Sequence, residues 1–200
     1  MLEATAVECE RGGRTLFRGL SFALKGGELL RIAGQNGSGK TSLLRILCGL
    51  LAPTQGEVRW KGTRIAELRE DYSRELVYVG HAPAVKDDLT PFENLDIACR
   101  LMGAEVHKQA LTWALGAYSV PDLPVRKLSQ GQRRRAALAR LLLSESVRLW
   151  LLDEPFAALD PAAATYTEEL IGRHLAAGGS VVYTTHQAAG IDARARVVQL

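Results

Sequence analysis

The residues from Gly34 to Thr41 read GQNGSGKT, set between an apolar run, Leu29 to Ala33, and a helical pattern, Ser42 to Leu47. A phosphate chain is too bulky and too charged to be wrapped by side chains alone. Gly34, Gly37 and Gly39 let the backbone curl and aim its N–H groups inward, and the helix that begins here adds its positive end. The candidate phosphate site is therefore the whole loop, Gly34, Gln35, Asn36, Gly37, Ser38, Gly39, Lys40 and Thr41, with Ser42 following it. Lys40 is placed to bridge the β- and γ-phosphates of a nucleoside triphosphate, and the Thr41 hydroxyl to ligate Mg²⁺. A second cluster closes the apolar run Leu149 to Leu152 with two carboxylates. Asp153 at a strand end can reach the same metal, and Glu154 can polarise an attacking water as general base. In the third, Leu128-Ser129-Gln130-Gly131-Gln132 precedes a helix carrying Arg133, Arg134, Arg135 and Arg140. Ser129 and the N–H groups near Gly131 make an anion-binding helix start, or only a capped helix with a solvated basic face.

These groups need a scaffold that brings distant residues to one edge. The first part of the chain alternates strand-like runs, Leu2 to Val7, Leu16 to Leu24 and Glu28 to Ala33, between the turn pairs Gly12-Gly13 and Gly26-Gly27, and looks antiparallel. After the glycine loop and its helix, Pro53 to Gly56 reads as a turn, Glu57 to Trp60 as a strand, Lys61-Gly62 as a turn and Leu76 to Val79 as a strand ending in Gly80-His81. From Pro91 to Ser144 the period becomes helical, with Leu95, Cys99 and Met102 on one face. Leu149 to Leu152 and Ser180 to Thr185 are near-continuous apolar runs of the kind buried on both faces, and Pro161 to Ala176 between them reads as a crossover helix stopped by Gly178-Gly179. Strand, helix, strand in this order predict a parallel sheet, whose ligand-bearing edge lies where the strands end. Val197 to Leu200 is a candidate last strand.

Composition narrows the function classes. A length of 200 residues suits one core, and 47% hydrophobic with 24% charged residues is ordinary for a globular protein. No apolar run is long enough to cross a bilayer. The opening MLEATAVECERGG lacks the basic head and apolar block of a secretory signal, so a cytoplasmic location is expected. Cys9, Cys48 and Cys99 are isolated and form no CxxC pair, which predicts reduced, inert thiols. A net charge of +3 does not indicate a nucleic-acid surface.

Taken in order, GQNGSGKT, LSQGQ, LLDEP, the Ala158-Leu159-Asp160 loop and a strand-terminal His186 follow the motifs of the ABC-transporter ATPase family, and the chain resembles that family over essentially its whole length. The resemblance implies an α/β P-loop NTPase: a mixed, mainly parallel core sheet, an N-terminal antiparallel β subdomain and an inserted helical subdomain at roughly 85–145, together one nucleotide-binding domain over residues 1–200. It implies ATP and Mg²⁺ as cofactors and a homodimer packed head to tail. In that dimer Ser129 and Gly131 touch the γ-phosphate held by the other copy, Asp160 lies at the seam, and His186 contacts the γ-phosphate and orients Glu154 and the water.

Three departures stand out against the family pattern. Arg11 takes the place of the aromatic residue that stacks on adenine, which a planar guanidinium can also do. Gln130 replaces the commonest glycine of the signature. His81 stands where the family has a glutamine that senses metal and water and touches the membrane partner; a neutral imidazole nitrogen can replace an amide oxygen as acceptor. Gly80-His81, LSQGQRRR, LLDEPFAALD, TTHQ and the opening CERGGRTLF are similar to the CcmA-type ATP-binding subunits of cytochrome c maturation systems, known in that family as haem exporters. That resemblance implies a peripheral place on the cytoplasmic face of the bacterial inner membrane, a CcmB-like integral membrane subunit with CcmC and CcmD, and either haem export or release of the haem-loaded chaperone CcmE. Neither nucleic acid nor haem is expected to bind the chain directly. The loop from His81 to Pro91, with Lys86, Asp87 and Asp88, is either a mobile coupling surface for the membrane partner or a solvated loop. A transporter ATPase for another small substrate, or a soluble ABC ATPase acting on nucleic acid, is the alternative reading.

Overall fold

The computed structural model describes residues 1–186 and 189–200. Two long strands, β1 (Leu2–Arg11) and β2 (Arg14–Leu24), open the chain as a hairpin around Gly12 and Gly13, which take φ of 57° and 73°. Both central positions of the tight turn that matches strand twist need positive φ, hence the glycine pair. There follow β3 (Leu29–Ala33), the glycine loop, α1 (Lys40–Leu47), β4 (Gln55–Trp60), β5 (Thr63–Arg64), two short helices, α2 (Ile65–Leu68) and α3 (Glu70–Arg74), and β6 (Leu76–Val79). The second half contains α4 (Pro91–Leu101), α5 (Lys108–Ala117), α6 (Gln130–Leu142), β7 (Leu149–Asp153), α7 (Pro161–Ala176), β8 (Ser180–Thr184) and β9 (Arg196–Gln199).

Among the described residues the strands form two sheets, one in the order β2-β1-β4-β5 and one in the order β6-β7-β8-β3-β9. The first is antiparallel and the second parallel. This is the expected α/β architecture, with one correction: β3 belongs to the parallel sheet and not to the antiparallel N-terminal run. Leu30 is opposite Val182 on one side and Arg196 on the other. Gly27 donates to the Gly179 carbonyl at 2.7 Å, so the Gly26-Gly27 turn carries the chain out of the first sheet and beside β8. A second correction concerns Pro53 to Gly56. The strand already begins at Gln55, and Gly56 lies in a bulge opposite Ala6, where a Cβ would come within 2.3 Å of the Ala6 carbonyl oxygen. Glycine there marks a close approach of two backbones inside a strand, not a turn between strands.

Because side chains alternate along a strand, the two faces of the parallel sheet bury two separate cores. Leu149, Leu151 and Val182 pack with Leu43, Leu44 and Leu47 of α1 and the antiparallel sheet. Trp150, Leu152, Val181 and Tyr183 pack on the other side with residues of α4 to α7. All ten residues of β7 and β8 are buried, which explains their unbroken apolar sequence. Three helices start on side-chain caps: Thr90 with Glu93 at α4, Ser129 with Gln132 at α6, and Asp160 followed by Pro161 at α7. Among the described residues no helix is long and apolar enough to cross a membrane.

Candidate nucleotide-binding and hydrolysis site

The glycine loop leaves the C-terminal end of β3 and enters α1 through Gly39, whose φ of 105° lies in the left-handed region. A Cβ there would sit 3.0–3.1 Å from Leu16 and Phe17 of β2, so both conformation and space require glycine. At Gly34 a Cβ would meet the Ser38 hydroxyl at 2.5 Å. The bare loop thus folds tightly on itself, with the Ser38 N–H donating to the Gln35 carbonyl at 3.2 Å. Lys40, the first residue of α1, is buried, and its ammonium donates to the carbonyls of Gly34 and Gln35 at 2.8 and 3.0 Å. These bonds hold the charge across the loop.

The neighbouring strand ends complete the arrangement. Thr41 donates from its hydroxyl to Asp153 Oδ2 at 2.8 Å, and Thr184 donates to Oδ1 at 2.7 Å. Two strands of the parallel sheet, β7 and β8, and its first helix therefore converge on one buried carboxylate. Thr184 also accepts a bond from the Glu154 N–H at 2.9 Å. Glu154 has φ of 54°, unusual for a residue with a side chain, and its carboxylate is held on both oxygens. The His186 N–H donates to Oε2 at 3.1 Å, and His186 Nε2 lies 3.3 Å from Oε1. The imidazole itself is half-exposed, so it faces both the carboxylate and solvent. Two adjacent carboxylates thus occupy different surroundings, one sunk among hydroxyls and one at the rim beside a histidine.

The structure brings Lys40, Thr41, Asp153, Glu154 and His186 together. It leaves Ser129, Gly131 and Asp160 in a second group, around the start of α6. Ser129 Oγ accepts from the Gln132 N–H at 3.2 Å, and Gln132 Oε1 accepts from the Ser129 N–H at 2.8 Å. Within one chain, then, the serine is a helix cap. Gly131 has a separate reason to lack a side chain: a Cβ would lie 2.5 Å from the Ala158 carbonyl. Asp160 caps α7 through the Ala163 N–H at 2.8 Å and pairs with Arg135 at 3.2 Å. Arg11 is exposed beside the first hairpin turn, and His81 is exposed in a surface cleft with Arg45, Leu50 and Tyr78.

Two expectations change. The loop before α4 is pinned: Asp87 pairs with Arg133 at 3.0 Å, Asp88 with Arg126 at 2.8 Å, and Lys86 is bonded through its N–H and C=O to Asn94. Its two carboxylates are ion-paired yet remain largely exposed to solvent. The basic run on α6 is not a uniformly solvated face either. Arg134 is buried and Arg140 nearly so, each donating to main-chain carbonyls at the ends of β6 or β7. Their depth was hidden in the sequence because an arginine run has no apolar periodicity to mark an inward face. Cys9, Cys48 and Cys99 are free thiols, and burial raises the pKa of each.

A glycine loop entering a helix beside a strand that ends in paired carboxylates defines a P-loop ATPase of the cassette type. The family model described as ABC transporter matches residues 17–157, and the chain belongs to that family. It is 55% identical to the cytochrome c biogenesis ATP-binding export protein CcmA of Aromatoleum aromaticum, across 94% of this chain and 89% of that one. It is 46% identical to the CcmA of Escherichia coli K12, with the same shares covered. Among solved structures, an ATP-binding subunit of an ABC transporter superposes with a TM-score of 0.87 at 25% identity, covering all of this chain and 85% of that one. The fold is shared at 24% identity with the cassette MJ0796, solved as a dimer in a post-hydrolysis state bound to ADP and Pi, with a TM-score of 0.85 over all of this chain and 94% of that one. The chain is an ATP-binding ATPase of the ABC family.

Proposed function

We propose that the chain is the ATP-hydrolysing motor subunit of an ABC system for cytochrome c biogenesis, working as one nucleotide-binding domain over residues 1–200. The observation that carries the reading is the pair Asp153 and Glu154, the first locked to Thr41 of the glycine loop and the second held by His186. High identity to CcmA proteins over nearly their full length supports the assignment to that pathway.

In the proposed reaction, the loop N–H groups from Gly34 to Thr41 and the Lys40 ammonium bind the β- and γ-phosphates, Ser42 extends the helix start, and Arg11 stacks on adenine. Thr41 and Asp153 supply the hard oxygen donors that Mg²⁺ favours, and their oxygens already adjoin at 2.8 Å, so the residues fit the metal. Mg²⁺, when bound, neutralises charge on the phosphates. Glu154 takes a proton from water, the water oxygen bonds to the γ-phosphorus, and the bond to the oxygen retained by ADP breaks, releasing inorganic phosphate. His186 orients Glu154 and meets the γ-phosphate, and His81 accepts a hydrogen bond from the water or its shell.

Ser129 and Gly131 serve the partner copy. Their helix start makes no bond to the glycine loop of its own chain among the described residues, which suits a head-to-tail dimer with Asp160 at the seam. A CcmB-like membrane subunit, with CcmC and CcmD, completes the assembly on the cytoplasmic face of the inner membrane, and hydrolysis drives haem export or release of haem-loaded CcmE. The chain itself contacts neither haem nor nucleic acid in this reading. The test is complementation: mixing a Lys40→Ala copy with a Ser129→Ala copy restores one intact pocket per pair, so activity recovers where each copy alone is dead. Mixtures that stay inactive would reject the shared site. Co-purification from membranes with the integral subunit tests the pathway, and a chain that travels with nucleic acid instead would overturn it.

A further inference from the structure

The signature helix is tied to the strand end bearing the proposed base by a residue that the reaction above does not use. Arg134 lies one turn into α6 and is only 3% exposed. Its Nη1 donates to the Gly80 carbonyl at 2.7 Å and, more weakly, to the His81 carbonyl at 3.4 Å. Its Nη2 donates to the carbonyls of Asp153 and Glu154. One planar guanidinium therefore joins the peptide that follows β6 to the peptide that follows β7. A lysine could not span both, since it is a point charge without a fixed fork. Burying an arginine is costly, and here main-chain oxygens satisfy both terminal nitrogens while the buried Nε–H has no partner among the described residues.

The Glu154 backbone shows what this bridge accomplishes. With φ of 54°, the residue occupies a region that side chains disfavour and that persists only where the surroundings over-determine it. Thr184 accepts from its N–H on one side, and Arg134 donates to its carbonyl on the other. The carboxylate leaves the backbone between these two anchors and reaches His186. The neighbouring arginines do not share the role: Arg133 pairs with Asp87 and Arg135 with Asp160.

We infer that Arg134 is a positioning residue for hydrolysis, holding the Glu154 peptide in its left-handed conformation and linking the base, the His81 loop and the signature helix of the same chain. The inference deepens the proposed function and rests on Glu154 as the base. Arg134 acts in cis, on the pocket of its own chain, although it sits on the helix whose first residues serve the partner.

The test measures steady-state Mg-ATPase and binding of a fluorescent ATP analogue for the full chain carrying Arg134→Met or Arg134→Lys, each with Glu154 intact and with Glu154→Gln. Misplacing a catalytic group by about an ångström costs on the order of a hundredfold in rate, so Arg134→Met is expected to lower kcat roughly tenfold to a hundredfold. ATP affinity should stay within about twofold, because uniform binding is untouched. Arg134→Lys should fall between the two. In the Glu154→Gln background the Met substitution should change the residual rate by less than about twofold, because the group it positions is already gone. A full loss in both backgrounds, or a normal kcat for Arg134→Met, would overturn the inference while leaving the base assignment intact. If Glu154→Gln alone hydrolyses at the native rate, both fall. Should Arg134→Met fail to fold, Arg134→Lys decides, and a native kcat in that variant rejects the role.

Discussion

The end of β7 and the start of α6 are both rich in polar groups, yet they are built on opposite plans. At the end of β7 the bonds run between elements far apart in sequence: Thr41 and Thr184 onto Asp153, and His186 onto Glu154. At the start of α6 the bonds of Ser129 close on its own helix, to Gln132 three residues on. The first arrangement is finished within one chain and can bind and polarise. The second is a helix terminus whose serine is exposed, and its reactivity depends on what is placed against it. In the proposed reading, one site is divided between a part that folding completes and a part that assembly completes. Arg134 connects the two through the Glu154 carbonyl.

Perturbations of the two regions should therefore behave differently, and the largest effect belongs to the first. Glu154→Gln keeps the size and the His186 contacts but removes the proton acceptor, so kcat should fall by about 10²–10⁴ while ATP binding persists; rapid-mix phosphate release and equilibrium nucleotide binding measure the split. A comparable effect on affinity would mean the carboxylate shapes the pocket and is not the base.

Acid should act on the core beneath the same strand. Trp150 of β7 stacks on buried His174 with ring centroids 3.8 Å apart and planes within 5°. Burial pushes the His174 pKa down to about 4. The folded value lies below the unfolded one, so the unfolded chain takes up the proton first. The stabilisation is complete above about pH 6.5 and is lost as pH falls toward 4, by about 3 kcal/mol in total. Urea melts from pH 7 to pH 4 read this loss, and His174→Phe should flatten it. A slope unchanged in that variant would assign the acid sensitivity to other groups.

Gly131→Ala should cost about 1–3 kcal/mol, the usual price of overpacking, because its new methyl would meet the Ala158 carbonyl. It tests how tightly the start of α6 packs on the Ala158 loop, and an unchanged melting temperature would mean that the loop yields without cost. Ser129→Ala should give the smallest stability change, about 1 kcal/mol for a lost cap. Its hydrolysis should nonetheless fall sharply, with single-chain ATP binding unaltered. If Ser129→Ala loses only what the missing cap explains, the serine has no role beyond its own helix.

How much was legible in the sequence follows the same division. The glycine loop could be recognised because its chemistry is local: strand, φ-permissive turn and helix start are consecutive. The buried strands β7 and β8 were legible from unbroken apolar runs, and α7 from Pro161 at one end and Gly178-Gly179 at the other. The sheet to which β3 belongs was not, since a five-residue apolar strand fits either pairing and the choice depends on β8, about 150 residues later. The short helices α2 and α3 contain too few residues to show a period. The charged loop before α4 looked free because its partners, Arg126 and Arg133, come from a distant segment.

The order and spacing of the motifs established, without coordinates, that this chain handles a nucleoside triphosphate, because phosphate binding needs particular residue types on adjacent backbone atoms. Which arginine of α6 goes inward, which carbonyls it gathers and why Glu154 holds a left-handed backbone were decided only by tertiary packing. Those facts depend on where two strand ends meet a helix, and three-dimensional convergence leaves no periodic trace along the chain.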